Sequence, residues 1–381
     1  MNPAVVSTGG SLIRALNARK KATSIDLGLG EPTLAPDIAY FEEAVRWVAE
    51  HGCHYTANVG DAHLRAAIAR YYDYPAMRAA ENVCITTGSQ EALYVVVKTM
   101  LDPAKDELLL VEPAFSVYDK LAAVEGIALQ RVSMPAQTGF AFDAQRILEA
   151  LTPRTRLILI CSPCNPTGRV VSRAEVAKIT RALGERGGAP IYILHDEIYR
   201  ELVYTEDAGS FGESYPYTIA INSLSKSNAL TGLRIGWFMA PSEAMGELVK
   251  MHSWATSCAS TVGQVIAARI FAEEALGVQQ PWYAAARDAA MSAARDAGLP
   301  YVVPDGAFYL CVDVGVEDDV AFAYRLIDEC DVVAIPGSNF GSASRGWLRT
   351  SFVGPPEALR EGFTRIASLR ATYEGAVRPN G

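Results

Sequence analysis

Lys226 stands in Asn222-Ser223-Leu224-Ser225-Lys226-Ser227, directly after an apolar run, and Arg234 follows eight residues later. A lysine at the end of a buried strand, among small hydroxyl residues and near a fixed cation, suits a nucleophile beside an anion site. Its amine must shed a proton to react, which burial and nearby cations favour. Other chemically capable groups punctuate the chain. They are Gly88-Ser89-Gln90, Glu112-Pro113-Ala114-Phe115, Asn165-Pro166-Thr167-Gly168 and Asp196.

These groups share one kind of position. Short apolar runs at 83–86, 107–111, 156–161, 190–194, 218–222 and 235–239 alternate with amphipathic stretches. Most runs are continuously apolar, as strands covered on both faces are. Ser172-Arg173-Ala174-Glu175 reads as a capping-box helix start, with a stop in the 184–188 region. Strand–helix alternation predicts an α/β fold with a mostly parallel sheet. In such sheets ligands bind beyond the carboxyl ends of the strands. Each chemical group follows a run, so all five fall on one rim.

The chain ends read differently. Residues 1–40 hold one helical stretch and then Gly28-Leu29-Gly30-Glu31-Pro32; a long helical stretch at 282–297 precedes shorter apolar segments at 308–312 and 332–335. The division predicted is a large domain at 41–279 and a smaller α+β domain from 1–40 and 280–381. With 381 residues, half of them apolar, the chain exceeds one simple core. A net charge of −9 argues against nucleic acid or an anionic membrane as partner. No apolar run reaches membrane-spanning length, and the start lacks the order of a secretory signal. Seven cysteines, an odd number, do not form a disulfide framework, which points to the cytoplasm.

Asn165-Pro166-Thr167-Gly168, Asp196-Glu197-Ile198-Tyr199 and Ser223-Leu224-Ser225-Lys226 with Arg234-Ile235-Gly236 occur in this order. By them the chain resembles the pyridoxal-phosphate aminotransferases of fold type I, class I/II, from Gly30 to Arg349. The resemblance implies a seven-stranded, mostly parallel sheet flanked by helices. It implies that Lys226 holds pyridoxal 5'-phosphate as an aldimine and then carries the substrate's proton. Asp196 would pair with the pyridine nitrogen, and Tyr199 and Asn165 with the phenolate oxygen. Gly88, Ser89 and Gln90 at a helix start, with Ser223 and Arg234, would hold the phosphate. Phe115 would lie over the ring. Arg349, in Gly346-Trp347-Leu348-Arg349, would clamp the substrate carboxylate, with Asn165 beside it and the Gly30 backbone close by. Tyr55 would reach the phosphate of a neighbouring subunit, making a homodimer with a shared site.

The implied reaction is transamination, passing nitrogen from an L-amino acid to a 2-oxo acid by a ping-pong mechanism. A carbon–sulfur β-lyase on the same fold is the alternative, distinguished by release of pyruvate and ammonia from one substrate. A non-catalytic, cofactor-binding regulator would need an added basic DNA-binding module, whereas these motifs begin by Gly30. Cys161-Ser162-Pro163-Cys164 lies at a strand end, away from the helix start of redox sites, and reads as structural. His51, His54 and His63 lack metal-site spacing, so no metal is expected. His195 is expected to pack on its strand. Trp254 is a candidate for contact with the substrate side chain.

Overall fold

The computed structural model describes residues 1–373. Residues 374–381, the end of the expected smaller domain, lie outside the described residues. The strands in chain order are β1 (Ile25–Asp26), β2 (Val83–Thr86), β3 (Glu107–Glu112), β4 (Ala128–Ser133), β5 (Thr155–Cys161), β6 (Tyr192–Asp196), β7 (Thr218–Ser223), β8 (Gly236–Met239), β9 (Tyr309–Asp313), β10 (Val332–Val333), β11 (Ile335–Pro336) and β12 (Trp347–Ser351).

Seven of them form the main sheet, in the order β2-β8-β7-β6-β5-β3-β4. All neighbours are parallel except β8, which is antiparallel to both β2 and β7. The six apolar runs are six of these strands. Their residues are buried almost throughout because helices cover both faces. The seventh, β4, closes the far edge and is mostly half-exposed. Its sequence, Ala-Leu-Gln-Arg-Val-Ser, therefore carries no apolar run.

Register aligns the functional strand ends. Cys161 on β5 pairs with Asp196 on β6, Asp196 with Ile221 on β7, and Ser223 with Gly236 on β8. Residues separated by tens of positions thus reach one rim.

The chain ends meet each other. Ile25 and Asp26 of β1 pair with Val332 and Val333 of β10, and β11, β12 and β9 form a three-stranded sheet. The single helical stretch expected in 1–40 is two short helices, Pro3–Ser7 and Leu12–Ala18, broken at Thr8-Gly9-Gly10 and capped anew by Ser11. The helix Arg173–Glu185 starts as expected, with Ser172 Oγ accepting from the Glu175 amide. Its capping box is only half made, because the Glu175 carboxylate instead accepts from the Ala144 amide and Lys178.

Candidate active site

A cavity of about 360 Å³ opens at the carboxyl rim, within the range of roughly 300–1,000 Å³ that small-molecule sites occupy. Its wall includes Gly30, Ser89, Gln90, Phe115, Asn165, Asp196, Tyr199, Lys226, Arg234 and Arg349. These residues come from both chain ends and from the carboxyl ends of five main-sheet strands, β2, β3, β5, β6 and β7. The residues that line it span Ile13 to Arg349 of the sequence.

Lys226 lies in a four-residue helical turn, Leu224–Ser227, that follows β7. Ser223 caps this turn by accepting from the Ser225 amide. Nζ of Lys226 donates to the Gly30 carbonyl at 2.5 Å. Burial lowers its pKa to about 8, helped by Arg349 and Arg234 and opposed by Glu31. An ordinary lysine titrates near ~10.4, so this amine is neutral far more often at physiological pH.

Asp196 ends β6 and is buried. One carboxylate oxygen accepts from the Tyr118 hydroxyl at 2.7 Å, the other from the Ile198 amide at 3.1 Å. Burial raises its pKa, while those two donors pull it down. Lone pairs remain for a cationic partner on the cavity side.

The anion-facing end combines a helix start with a guanidinium. Ser89 opens the helix Ser89–Met100, and Gly88 is its N-cap at φ 79°, so free amides point toward the cavity. A Cβ on Gly88 would lie 2.5 Å from Nη2 of Arg234. Arg234 is itself left-handed at φ 55°, a conformation that costs a non-glycine residue about 1 kcal/mol. Gly88→Ala should displace the guanidinium and strain the turn, weakening binding of a phosphate group at this helix start about tenfold or more. Titrating the protein and the variant with a phosphate-bearing ligand measures this.

Arg349 on β12 is 2 % exposed. One terminal nitrogen donates to Asn165 Oδ1 at 3.2 Å and the other to the Gly28 carbonyl. Its Nε is buried without a hydrogen-bond partner among the described residues. The guanidinium carbon sits 4.6 Å from the Tyr309 ring centroid. A buried cation with an unmet donor is suited to a carboxylate. Tyr199 exchanges a 2.8 Å hydrogen bond with Tyr309, and Gly30 leaves room for that ring, since a Cβ there would meet its hydroxyl at 2.5 Å.

Three expected residues lie elsewhere. Ser223 is fully buried behind the wall, and Ser225 lines the cavity in its place. Gly88 stands just behind Ser89 rather than in the wall. Tyr55 is 90 % exposed on the surface, outside the cavity. Trp254 is also exposed, near the end of the helix Ser242–Thr256, and does not line the cavity. The structure adds Tyr118, Tyr309, Ile13, Leu29, Glu31 and Thr231 to the wall. None of them has a local sequence signature.

The other candidates have structural partners. Cys161 and Cys164 are buried free thiols directed at the Pro163 and Pro113 carbonyls. His195 is buried against Phe211, with Nδ1 3.2 Å from Glu197. Among the described residues no cluster of three or more His, Cys, Asp or Glu could hold a metal ion. No helix among them is long and apolar enough to cross a membrane.

The family model for aminotransferase class I and II matches residues 22–366. An aspartate aminotransferase of Pyrococcus horikoshii is 33% identical, with 93% of each chain covered. One from Thermotoga maritima is 31% identical, over 91% of this chain and 92% of its own. The structure of an aspartate aminotransferase from Thermus thermophilus superposes with a TM-score of 0.89 at 27% identity, covering 97% of this chain and 99% of that one. The chain therefore belongs to the class I and II aminotransferases, and its enzymatic activity is transamination.

Proposed function

We propose that the protein moves an amino group from an L-amino acid to a 2-oxo acid by a ping-pong mechanism, with pyridoxal 5'-phosphate held on Lys226. One observation carries this reading. Lys226, Asp196 and Arg349, separate in sequence, line a single cavity. When bound, the cofactor supplies an aldehyde that accepts amines and a pyridinium ring that draws electrons from the substrate α-carbon.

The residues present fit that group. The buried carboxylate of Asp196 would pair with the ring nitrogen and keep it protonated. Gly88, Ser89 and Gln90 at the helix start, with Arg234, hold the phosphate; Ser225 lines the site, and Ser223 caps the turn that presents it. Phe115 lines the cavity where it would cover the ring, and Tyr199 and Asn165 line it where they could donate to the phenolate oxygen. Arg349, steadied by Asn165 and Tyr309, takes the substrate carboxylate. Gly30 lets the backbone approach the substrate. Once displaced by the incoming substrate amine, Nζ of Lys226 would be free to take the α-proton and to return it on the cofactor side.

Tyr55 reaches the phosphate site of a second copy, so the working unit is a homodimer with shared sites. Its exposure in one chain, together with that of Arg234, supports this. The 1–40 and 280–381 segments form a smaller domain beside a 41–279 cofactor-binding domain, supported by the β1–β10 pairing. Seven free cysteines suit the cytoplasm.

Because Lys226 reacts only when neutral, apoprotein should capture the cofactor aldehyde faster as pH rises, levelling off above about 8. Stopped-flow mixing across pH 6–10, as a range of about four units around that value, checks the profile. The function itself is tested by screening amino donors against 2-oxoglutarate and pyruvate. Formation of a new amino acid from the oxo acid supports transfer; pyruvate and ammonia from one substrate would instead indicate β-elimination.

A further inference from the structure

A buried histidine–carboxylate pair stands behind the anion-facing end of the cavity. His252, from the helix Ser242–Thr256, has no exposed surface. Its Nδ1 lies 2.7 Å from Glu91 Oε1, and its Nε2 lies 2.9 Å from the Asn58 carbonyl. Glu91 belongs to the first turn of the helix Ser89–Met100. Its other carboxylate oxygen accepts from the Thr87 amide at 2.5 Å. The Thr87 carbonyl in turn accepts from Nη2 of Arg234 at 3.4 Å. Thr87 leads directly into Gly88 and Ser89, so the approach to the helix start is held at both its amide and its carbonyl. The hydrogen bonds also fix the charge of the pair. A carbonyl can only accept, so Nε2 of His252 donates to Asn58. One further proton must lie between Nδ1 and Glu91 Oε1 for that contact to be a hydrogen bond. The pair is then neutral as a unit, whichever of the two atoms carries the proton.

We propose that His252 is a positioning residue for the phosphate-binding helix start: it cancels the charge of Glu91, so that this carboxylate holds Thr87 without repelling the phosphate. The proposal rests on the functional reading above, in which Gly88, Ser89, Gln90 and Arg234 take that phosphate. A carboxylate in the first turn of a helix is favoured by the helix's own field. Here, however, it is next in sequence to Gln90, where a ligand with nearly two negative charges must bind. Left without its partner, Glu91 would oppose that ligand by like-charge repulsion in a partly buried setting. His252 removes the conflict and keeps the hydrogen bond to Thr87. Through Nε2 the same ring also braces Asn58, whose side-chain amide donates to the Ser257 carbonyl at 2.7 Å.

The test compares binding of pyridoxal 5'-phosphate and of pyridoxal to the full-length apoprotein. Pyridoxal has the same aldehyde and no phosphate, so the ratio of the two dissociation constants isolates the phosphate. Any change at Lys226 is common to both ligands and cancels. His252→Gln should reduce the preference for the phosphorylated ligand about tenfold, the order expected of one unpaired charge facing an anion. Its affinity for pyridoxal should stay within about threefold of wild type, since neither residue meets the amine. Combining His252→Gln with Glu91→Gln makes both positions neutral again and should restore most of the preference. A merely structural contact would lose more in the double variant than in the single one. A preference unchanged in His252→Gln, or a double variant no better than the single, would overturn the role of His252 while leaving transamination intact. If His252→Gln binds neither ligand, the double variant decides: recovery of binding and preference supports the proposal, and continued loss overturns it. Wild-type protein that binds pyridoxal as tightly as its phosphate would overturn the functional reading of the helix start as well.

Discussion

Replacing Lys226 with alanine should abolish covalent capture of the cofactor aldehyde and cut turnover by at least ~10²–10⁴-fold, the cost of a lost acid–base group. The loss is large because one amine has two roles. In the proposed reaction it tethers the cofactor and moves the proton at the substrate α-carbon. No other lysine among the described residues lines the cavity, so none of them can take over. The fold should survive. Lys226 is a buried amine whose charge burial disfavours, and its removal leaves only the Gly30 carbonyl without its donor. Small primary amines added to the variant should restore part of the proton transfer and none of the tether. Steady-state kinetics with and without added amine separate the two roles. Undiminished turnover in the variant would remove Lys226 from the mechanism.

Asp196→Asn should lower turnover roughly 10²–10⁴-fold, corresponding to the ~3–5 kcal/mol lost when one member of a buried charge pair is removed. The substitution keeps size and shape but cannot carry the negative charge that, in the proposed reaction, holds the ring nitrogen protonated. It also unsettles the local hydrogen bonds. Tyr118 and the Ile198 amide both donate to the carboxylate, and an amide has only one acceptor oxygen for them. Cofactor affinity should therefore fall together with the rate. A variant that keeps wild-type turnover would mean that Asp196 serves the fold alone.

The main sheet was legible because burial on both faces leaves a mark in sequence. The strands carrying Cys161, Asp196 and Ser223 are continuous apolar runs. The edge strand β4 lacked that mark because much of it faces solvent. The chemical residues at strand ends were legible for a related reason. A polar group directly after a buried strand is costly unless it has a partner or a ligand to meet.

The rest of the site depended on tertiary contacts. Tyr118 lies one helical turn beyond Phe115 and meets Asp196 across 78 positions. Tyr309 reaches Tyr199 across 110. Neither distance leaves a periodic trace. The exchange of Ser223 for Ser225 in the wall follows from the short turn after β7. There the first serine is consumed as a cap and the second faces the cavity. Ile13, which lines the cavity, lies in the second of two short N-terminal helices where the sequence suggested one.

Everything proposed for this site depends on Lys226 being the residue that binds the cofactor aldehyde. Borohydride reduction of the holoenzyme, followed by proteolysis and mass mapping, fixes the linkage where it forms. One phosphopyridoxyl group per chain is expected, on the peptide containing Ser225-Lys226-Ser227. Modification of a different lysine, or a Lys226 peptide left unmodified in active enzyme, would contradict it.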